Sequence, residues 1–408
     1  MELPRALAMY KGLPRSIYVL FLSRIVNTMG AFVRPFLAIF LTTNMGINES
    51  LAGFIVTLAI IVYVPGSMLG GFLADRVGRK NVFIYFFGAA ALCFIPCAFL
   101  GNSMLIPMFL ILSAFFNSAA EPANSSMVAD LTNPSNRKAA FSLLYLGINI
   151  GFSIGPLIAG FLYNSYIELI FIGDALTTFI SIFLVYRYVE ESRPDLSCID
   201  IDDESDERPE TGSIFKIIKA RPFLISAAVI SILLSFVMSQ MGFALPLYTN
   251  EVFGIARGPS LFGGLMSVNG IIVVMMTVFL ISLTKALKPI QNMAISAILY
   301  AVGYGMLYFV RAYELFIVST VIWTMGEILM ATNWGVYIAN HTPMSHRGRF
   351  NAVINTMGGT GHAISPLLIG VYIEKYTIFN LWPMLFVVAI TCSILYILLN
   401  NIEKRRKT

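Results

Sequence analysis

Five ionisable side chains lie inside long apolar segments of this sequence: Arg24, Arg34, Glu121, Asp174 and Glu327. A charged group is expensive to place in hydrocarbon, so ionisable residues in such segments are candidates for function by default. A carboxylate there favours its neutral form, because a low-dielectric surrounding penalises the charge. The sequence therefore directs attention first to chemistry in which carboxylates gain and lose protons.

Four of these residues can form two pairs. At 1.5 Å per helical residue, Arg24 and Glu121 lie roughly 12 Å and 10 Å inside their segments from the same side, so we expect them to pair. Arg34 and Asp174 lie nearer the opposite side. They can pair as well, and we interpret that second pair as structural.

Glu327 lies near the middle of its own segment. We predict that it takes up a proton more readily than Glu121, whose charged form is favoured by Arg24. Glu121 and Glu327 are thus the main candidates for proton coupling, with Asp174 and His362 as further candidates. Imidazole titrates near neutral pH, although a lone helical histidine is more often a packing residue. For Glu327 the alternative is a permanently protonated acid that hydrogen-bonds to Asn or Thr.

Polar and aromatic side chains occur in the same segments, and we predict that they line a cavity. Besides Arg24 and Arg34, the candidates are Asn27, Asn117, Asn124, Gln240, Trp323, Asn333, Trp334 and Tyr337. Trp323, Glu327 and Trp334 share one broad stripe of a helix. Two indoles beside a carboxylate suit a bulky, amphipathic or cationic ligand. Packing or anchoring at the membrane interface is the alternative for either tryptophan.

The segments that position these residues are predicted to be transmembrane helices. Of 408 residues, 57% are hydrophobic and 12% are charged. The charged share is about half that of a soluble domain, which excludes a soluble globular protein. Apolar stretches long enough to cross a hydrocarbon core of ~30 Å recur along the whole chain. We predict twelve helices, near 16–43, 50–73, 81–99, 104–128, 139–163, 166–187, 222–248, 259–282, 289–310, 313–340, 350–373 and 378–400.

An acidic segment, 190–210, divides the twelve helices into two sets of six. It is polar and without apolar periodicity, so we interpret it as a flexible tether, with a regulatory or partner-binding role as the alternative. The predicted organisation is an N-terminal six-helix bundle over 1–187, a cytoplasmic linker over 188–219 and a C-terminal six-helix bundle over 220–408.

The two halves are related by an internal repeat. A shift of 210 residues places Gly151 on Gly361 and Pro156 on Pro366. The same shift places Arg137 on Arg347 and Gly160 on Gly370. A repeat of six helices implies two similar bundles around a shared cavity, an architecture that suits alternating access.

The distribution of basic residues predicts the orientation. Of the 27 lysines and arginines, 22 fall in tails and loops on one side. Only Arg257, Arg311 and Lys375 fall on the other side, and two lie within the first helix. Loops rich in Lys and Arg stay in the cytoplasm, so we expect a multi-pass protein of the cell membrane with both termini cytoplasmic.

The loop between the second and third predicted helices concentrates glycines and charges. It reads Gly-Gly-Phe-Leu-Ala-Asp-Arg-Val-Gly-Arg-Lys over 70–80. Its key residues are Gly71, Asp75, Arg76, Gly78, Arg79 and Lys80. We expect Gly71 to allow close approach of a neighbouring helix and Gly78 to permit a tight turn. Asp75 is the one acid among three cations and can form a charge cluster with them or cap a nearby helix.

This loop resembles the signature loop of the major facilitator superfamily, whose pattern is G-x-L-a-D-r-x-G-r-k. The resemblance covers essentially the whole chain and implies the major facilitator fold, in which helices 1, 4, 7 and 10 line a central cavity. It also implies that the loop is a conformational latch, with a signal for topology alone as the alternative. The corresponding loop of the second half, 284–289, has no acid or glycine, so the latch is predicted on one side only.

The fifth predicted helix carries small residues at every fourth position, which favours close helix contact. The motif comprises Gly147, Gly151, Gly155, Pro156 and Gly160. It is similar to the helix-5 motif of the twelve-helix drug/proton antiporters, which ends G-P-x-x-G-G, whereas this sequence reads G-P-x-x-x-G over 155–160. The arginine that those antiporters carry in helix 4 is absent.

These features predict an all-α integral membrane protein that works as a proton-coupled secondary active transporter and exports hydrophobic or amphipathic small molecules. The alternatives are a proton-coupled symporter that imports a nutrient such as a sugar or peptide, since Arg24 and Arg34 suit an anionic substrate, and a membrane sensor that transports nothing. We expect no enzymatic activity, cofactor, metal or nucleic-acid partner, because the sequence has no Walker loop and no catalytic or metal-ligand constellation. The expected partners are a small-molecule substrate and the lipid bilayer, with the protein as a monomer.

The orientation can be tested by cysteine labelling. In a background without the native cysteines, Asp206→Cys should resist a membrane-impermeant maleimide added to intact cells, because position 206 is predicted to be cytoplasmic. Arg257→Cys, on the predicted outer side, is the matched control and should react. Efficient labelling at position 206 would reverse the orientation.

Overall fold

The computed structural model describes residues 10–133, 136–192, 222–341 and 347–407, and these residues form twelve long helical regions. Three regions are broken into two helical segments. The regions are α1 (α1a Arg15–Met29 and α1b Val33–Ile39), α2 (α2a Glu49–Ile61 and α2b Tyr63–Val77), α3 Arg79–Cys97, α4 Leu105–Asp130, α5 Arg137–Leu162, α6 Ile167–Tyr188, α7 (α7a Pro222–Met238 and α7b Ala244–Phe253), α8 Gly258–Thr284, α9 Pro289–Met306, α10 Tyr313–Asn340, α11 Arg347–Lys375 and α12 Ile378–Lys407.

The prediction of an all-helical membrane fold is confirmed. Among the described residues, ten helices are long and apolar enough to cross a membrane. The other two of the twelve are α9 and α11. The predicted and observed ends lie within five residues of each other, apart from the end of α12, which continues to Lys407 rather than ending near residue 400.

The three breaks were not predicted, and each lies just before a proline. Pro35, Pro65 and Pro246 are each the third residue of the segment that follows a break. Proline is tolerated in the first turn of a helix, where its missing N–H costs no hydrogen bond. Other prolines, such as Pro156 of α5 and Pro366 of α11, lie inside unbroken helices, so neither proline nor hydropathy alone identifies a break.

The described chain divides into two compact units. The described residues of the first are 10–48, 54–133, 136–192 and 249–274, and those of the second are 49–53, 222–248, 275–341 and 347–407. In the first unit, α1a packs on α5 and α6, and α3 packs on α4 and α6. In the second unit, α7a packs on α11 and α12, and α9 packs on α10 and α12. These four helix pairs of the first unit thus recur in the second.

The glycines of α5 bring this helix against α1a. A methyl group at Gly151 would lie 2.8 Å from the Ile25 carbonyl oxygen, and one at Gly155 would lie 2.5 Å from the Met29 carbonyl oxygen. Both distances are too short for a Cβ atom, so only glycine allows the two backbones to approach this closely. In the structure, these glycines of the α5 stripe lie where the backbones of α5 and α1a meet.

A second close contact also follows the 210-residue repeat. In the first unit, a methyl group at Gly263 of α8 would lie 2.3 Å from the Pro156 carbonyl oxygen. In the second unit, one at Gly53 of α2a would lie 2.2 Å from the Pro366 carbonyl oxygen. Gly53 and Gly263 are separated by the repeat distance, as are the two prolines. These contacts explain why a short piece of α2 belongs to the second unit and the start of α8 belongs to the first.

The expectation for Gly71 is wrong, because the neighbouring glycine makes the close contact. A methyl group at Gly71 would lie 3.8 Å from Pro122 of α4, an ordinary contact distance. One at Gly70 would lie 1.8 Å from the Ala119 carbonyl oxygen. The expected tight turn at Gly78 is present, with a φ of 109° that favours glycine.

The role of the glycine contacts can be tested with two matched substitutions. Gly155→Ala should lower the melting temperature of the purified protein, because overpacking of this kind costs about 1–3 kcal/mol. Gly335→Ala is the control, since a methyl group at Gly335 of α10 meets nothing within 4 Å. Alanine favours a helix over glycine, so the control should be neutral or stabilising. Equal melting temperatures for the two variants would contradict the packing role.

Candidate functional site

The expected pair between Arg24 and Glu121 is present. The Arg24 guanidinium of α1a donates two hydrogen bonds to the Glu121 carboxylate of α4, at 2.9 Å to Oε2 and 2.7 Å to Oε1. The two side chains are only 18% and 30% exposed. A bidentate, charge-assisted pair of this kind is strong and fixes both side chains in direction. It depends on the carboxylate being ionised.

A small cavity adjoins this ion pair. Arg24, Asn27 and Asn124 line it, together with Leu20, Ser23, Phe83, Phe87 and Ser181. The Asn27 side-chain amide donates to Thr178 of α6 at 3.2 Å, and the hydroxyls of Ser23 and Ser181 lie 2.7 Å apart. Polar side chains from α1, α4 and α6 therefore meet inside the first unit beside a protonatable carboxylate. Asn117 donates to Ser113 within α4 at 3.3 Å.

Tyr63, at the start of α2b, was missed by the sequence analysis and belongs to this group. The charges of Glu121, Arg34 and Arg24 all act on its phenol. Arg34 itself is exposed on α1b. The sequence does show a tyrosine two residues before Pro65 in an apolar helix, but nothing in this pattern indicates that the tyrosine lies near the charged residues.

Asp174 of α6 binds the backbone at the break in α1. Its carboxylate accepts a hydrogen bond from the backbone N–H of Val33 at 3.3 Å, at the first residue of α1b. That N–H has no carbonyl partner within its own helix, so the buried carboxylate satisfies it. Asp174 thus fastens the broken helix to α6, and the charge of Arg34, with which it could pair, also acts on this carboxylate.

In the second unit, Glu327 of α10 lies beside an aromatic cluster. It is half-buried, and its charge acts on the phenols of Tyr300 and Tyr304 of α9. The rings of Tyr304 and Trp323 lie 5.8 Å apart, and Trp323 is fully buried. The Trp323 side chain therefore packs inside the unit, while Glu327 lies at the edge of the cluster. Sequence analysis had not identified the two tyrosines.

The other candidates of the second unit occupy varied positions. Asn333 accepts a hydrogen bond from Asn292 of α9 at 2.9 Å. Gln240, fully buried beside the break in α7, donates to the Phe236 carbonyl oxygen at 2.8 Å and to Ser365 of α11. The remaining three are Tyr337, which is buried, Trp334, which is half-buried, and His362, which is exposed.

The loop between α2 and α3 is held by carboxylates that the sequence analysis had not assigned to it. The Arg79 side chain donates to Asp130 of α4 at 3.0 Å and to the Ala74 carbonyl oxygen at 3.1 Å. The Glu191 carboxylate accepts from the backbone N–H groups of Arg79 at 2.8 Å and Lys80 at 3.2 Å, and so caps α3. The Asp75 side chain lies outside the described part of the chain. The prediction that Asp75 is the only acid of this cluster is wrong, because Asp130 and Glu191 belong to it.

The predicted acidic tether falls almost wholly outside the described residues. Its first acids are described, and Glu191 is bound to the loop before α3. Within the described ranges, no three His, Cys, Asp or Glu side chains lie together as a metal site would require.

Comparison with known proteins agrees with this architecture. The family model of the Major Facilitator Superfamily matches residues 20–366. A Na(+), Li(+), K(+)/H(+) antiporter of Planococcus maritimus is 25% identical and aligns over 84% of this chain and 86% of its own. Multidrug resistance protein MdtH of Proteus mirabilis is 30% identical over 36% of each chain.

Solved structures show the same fold. A POT family transporter crystallised with 5-aminolevulinic acid superposes with a TM-score of 0.79 at 15% identity, over 95% of this chain and 96% of that one. At this identity the likeness concerns the fold alone. The family match extends over most of the chain and includes both the signature loop and the Arg24–Glu121 pair. The protein is therefore a multi-pass membrane protein that belongs to the Major Facilitator Superfamily of secondary transporters.

Proposed function

We propose that this transporter is a proton-coupled antiporter that exports hydrophobic or amphipathic small molecules by alternating access. The observation that carries the proposal is the Arg24–Glu121 ion pair. It joins the membrane-spanning helices α1 and α4 next to a small cavity with polar side chains in its wall. The similarities to an antiporter that exchanges cations for protons and to a multidrug resistance protein support it. They also support placing the chain near the drug/proton antiporters of its family.

The coupling rests on competition for the Glu121 carboxylate. When Glu121 is ionised, it holds Arg24 through two charge-assisted hydrogen bonds. A proton on either oxygen removes the negative charge, so the guanidinium loses most of that attraction and can bind another acceptor. A cationic substrate near the carboxylate would have the opposite effect and would favour release of the proton. Proton and substrate then bind in alternation, as antiport requires.

Glu327 is the second proton-coupling residue in this proposal. It lies in α10, which in this superfamily lines the central cavity, and it is half-buried beside Tyr300 and Tyr304. We propose that Glu327 takes up the transported proton more readily, while Glu121 is more often ionised and paired with Arg24. Asp174 is a weaker candidate for this role, because its carboxylate serves the break in α1.

A nutrient symporter is the second candidate function. Exposed Arg34, near Arg24 and Tyr63, could attract an anionic substrate such as a peptide carboxylate. The two functions differ in direction, since a symporter moves its substrate and the proton the same way. The cytoplasmic location of both termini and of the 188–219 linker belongs to the proposal and is supported by the distribution of basic residues.

Coupling can be tested by neutralising each carboxylate. Glu327→Gln imitates a permanently protonated acid, so it should abolish gradient-driven transport while substrate binding is retained. Glu121→Gln should lower thermal stability as well as rate, because it leaves Arg24 without its bidentate partner at a cost of about 1–3 kcal/mol. Proton-driven uptake into liposomes and the melting temperature are measured for both variants.

The control for this pair is Glu314→Gln, the same change at an exposed position in the first turn of α10. It should transport at the wild-type rate. Full coupled transport by Glu327→Gln would remove that residue from the mechanism and direct the search to Glu121, Asp174 and His362.

The loop before α3 is proposed as a conformational latch, and the charges that hold it can be tested together. Asp75→Asn and Asp130→Asn should each reduce the transport rate with little change in expression. The first removes the acid that the loop sequence places among three cations, and the second removes the carboxylate that binds Arg79. Glu168→Asn is the control, since Glu168 lies in the first turn of α6, away from this loop. Wild-type rates in both cluster variants would reduce the loop to a topology signal.

A further inference from the structure

At one end of the first unit, three cations from three different helices lie against tyrosine rings. The Arg15 guanidinium of α1a lies 5.8 Å from the ring centre of Tyr188, and that of Arg187 lies 5.4 Å from the same ring. The Lys80 ammonium of α3 lies 5.3 Å from the ring centre of Tyr186. Both tyrosines lie in the last turn of α6, where Tyr186 is 64% exposed and Tyr188 is 43% exposed. Cations held against aromatic faces keep their charge available to a ligand.

Carboxylates do not neutralise these cations in the part of the chain that the structure describes. Arg15, Lys80 and Arg187 form no ion pair there. The nearby acids are engaged elsewhere, since Asp130 binds Arg79 and Glu191 caps the backbone of α3. Exposed Glu190 adds one negative charge near the end of α6, which leaves the group with a net positive charge.

An apolar stripe leads along α6 to this cationic group. Leu176, Ile180 and Phe183 are exposed and precede Arg187 by eleven, seven and four residues, so all four share one helix face. From Leu176 to Arg187 the stripe is about 16 Å long at 1.5 Å per residue. This is about half of a hydrocarbon core of ~30 Å, the depth of a single leaflet.

From these observations we propose that the end of α6 binds an anionic phospholipid. The headgroup phosphodiester lies between Arg15 and Arg187, with Lys80 as the third cation, and an acyl chain runs along the stripe from Phe183 to Leu176. Tyr186 and Tyr188 can donate hydrogen bonds to the headgroup oxygens, at the depth where tyrosines are enriched in membrane proteins.

The apolar stripe favours a lipid over a free anion. A soluble phosphate would gain binding free energy from the three cations alone. A lipid also covers the exposed apolar side chains of the adjoining stripe with its acyl chain. The three cations favour an anionic headgroup, because a zwitterionic headgroup has no net charge and gains little electrostatic binding free energy from them. This inference does not depend on the transported substrate or on proton coupling.

The test measures lipid retention by purified protein in detergent, with native mass spectrometry. The probes are phosphatidylglycerol and phosphatidylcholine with identical chains, and inorganic phosphate as a separate arm. The double variant Arg15→Gln/Arg187→Gln should bind phosphatidylglycerol roughly 30-fold more weakly than the wild type, since each cation near a headgroup contributes about a factor of five. Phosphatidylcholine binding should be unchanged.

The double variant Arg257→Gln/Lys375→Gln is the matched control, because it removes two exposed cations that belong neither to the cationic group at the end of α6 nor to the apolar stripe. It should retain phosphatidylglycerol like the wild type. Size-exclusion profiles and melting temperatures verify folding, and the single variant Arg187→Gln, with a weaker loss expected, replaces the double variant if that does not fold. Equal phosphatidylglycerol retention in the variants and the wild type would overturn the proposal. If the protein binds inorganic phosphate as strongly as phosphatidylglycerol, the assignment to a lipid is overturned.

Discussion

The hydrocarbon core of the membrane offers no hydrogen-bond partner, and this constraint governs the structure at every level. Each backbone polar group inside it must be satisfied by the protein, so the chain crosses as helices. Helices surrounded by lipid gain little from the hydrophobic effect when they associate, and they depend on close packing instead. The glycines of α5 provide that packing against α1a, where no side chain would fit between the two backbones. The repeated contacts of Gly263 with Pro156 and of Gly53 with Pro366 follow the same principle.

The same constraint explains the polar groups that the helices contain. At the break in α1 and at the Arg24 guanidinium, a carboxylate from another helix provides the partner. Asp174 satisfies the free N–H of Val33 at the break in α1, and Glu121 satisfies the guanidinium of Arg24. Both partners are carboxylates, and a proton would weaken either contact. Asp174 and Glu121 satisfy polar groups that the membrane would leave without partners. The same two carboxylates are therefore places where a proton can change the conformation.

Sequence patterns predicted much of this architecture. Hydropathy located all twelve helices, because a transmembrane segment must be apolar along its length. Helical rise alone brought Arg24 and Glu121 to matching depth, and they do pair. The 210-residue repeat extends to Gly53 and Gly263, which had not been noticed in the sequence. The bounds of the two units differ from the predicted bundles, because 249–274 belongs to the first unit and 49–53 to the second.

The features that were missed depend on tertiary contacts. Whether Gly70 or Gly71 faces α4 is decided by the rotation of α2b, which two adjacent glycines do not reveal. Glu191 had been assigned to the acidic tether, yet the chain turns back after α6 and brings it to the N-terminus of α3. Tyr63 lies at the break in α2, where the charges of Glu121, Arg34 and Arg24 act on it. Composition and spacing do not contain this information.

The most direct test of the account measures proton movement by the wild-type protein. Purified transporter is reconstituted in liposomes with a pH-sensitive dye and an acidic interior, and a lipophilic cation is added outside, with Na⁺, a sugar and a dipeptide in parallel. The account predicts that the lipophilic cation accumulates inside while the internal pH rises faster than in empty liposomes. Transport of the cation with no change in the rate of proton loss would contradict it, and so would proton entry together with the sugar or the dipeptide.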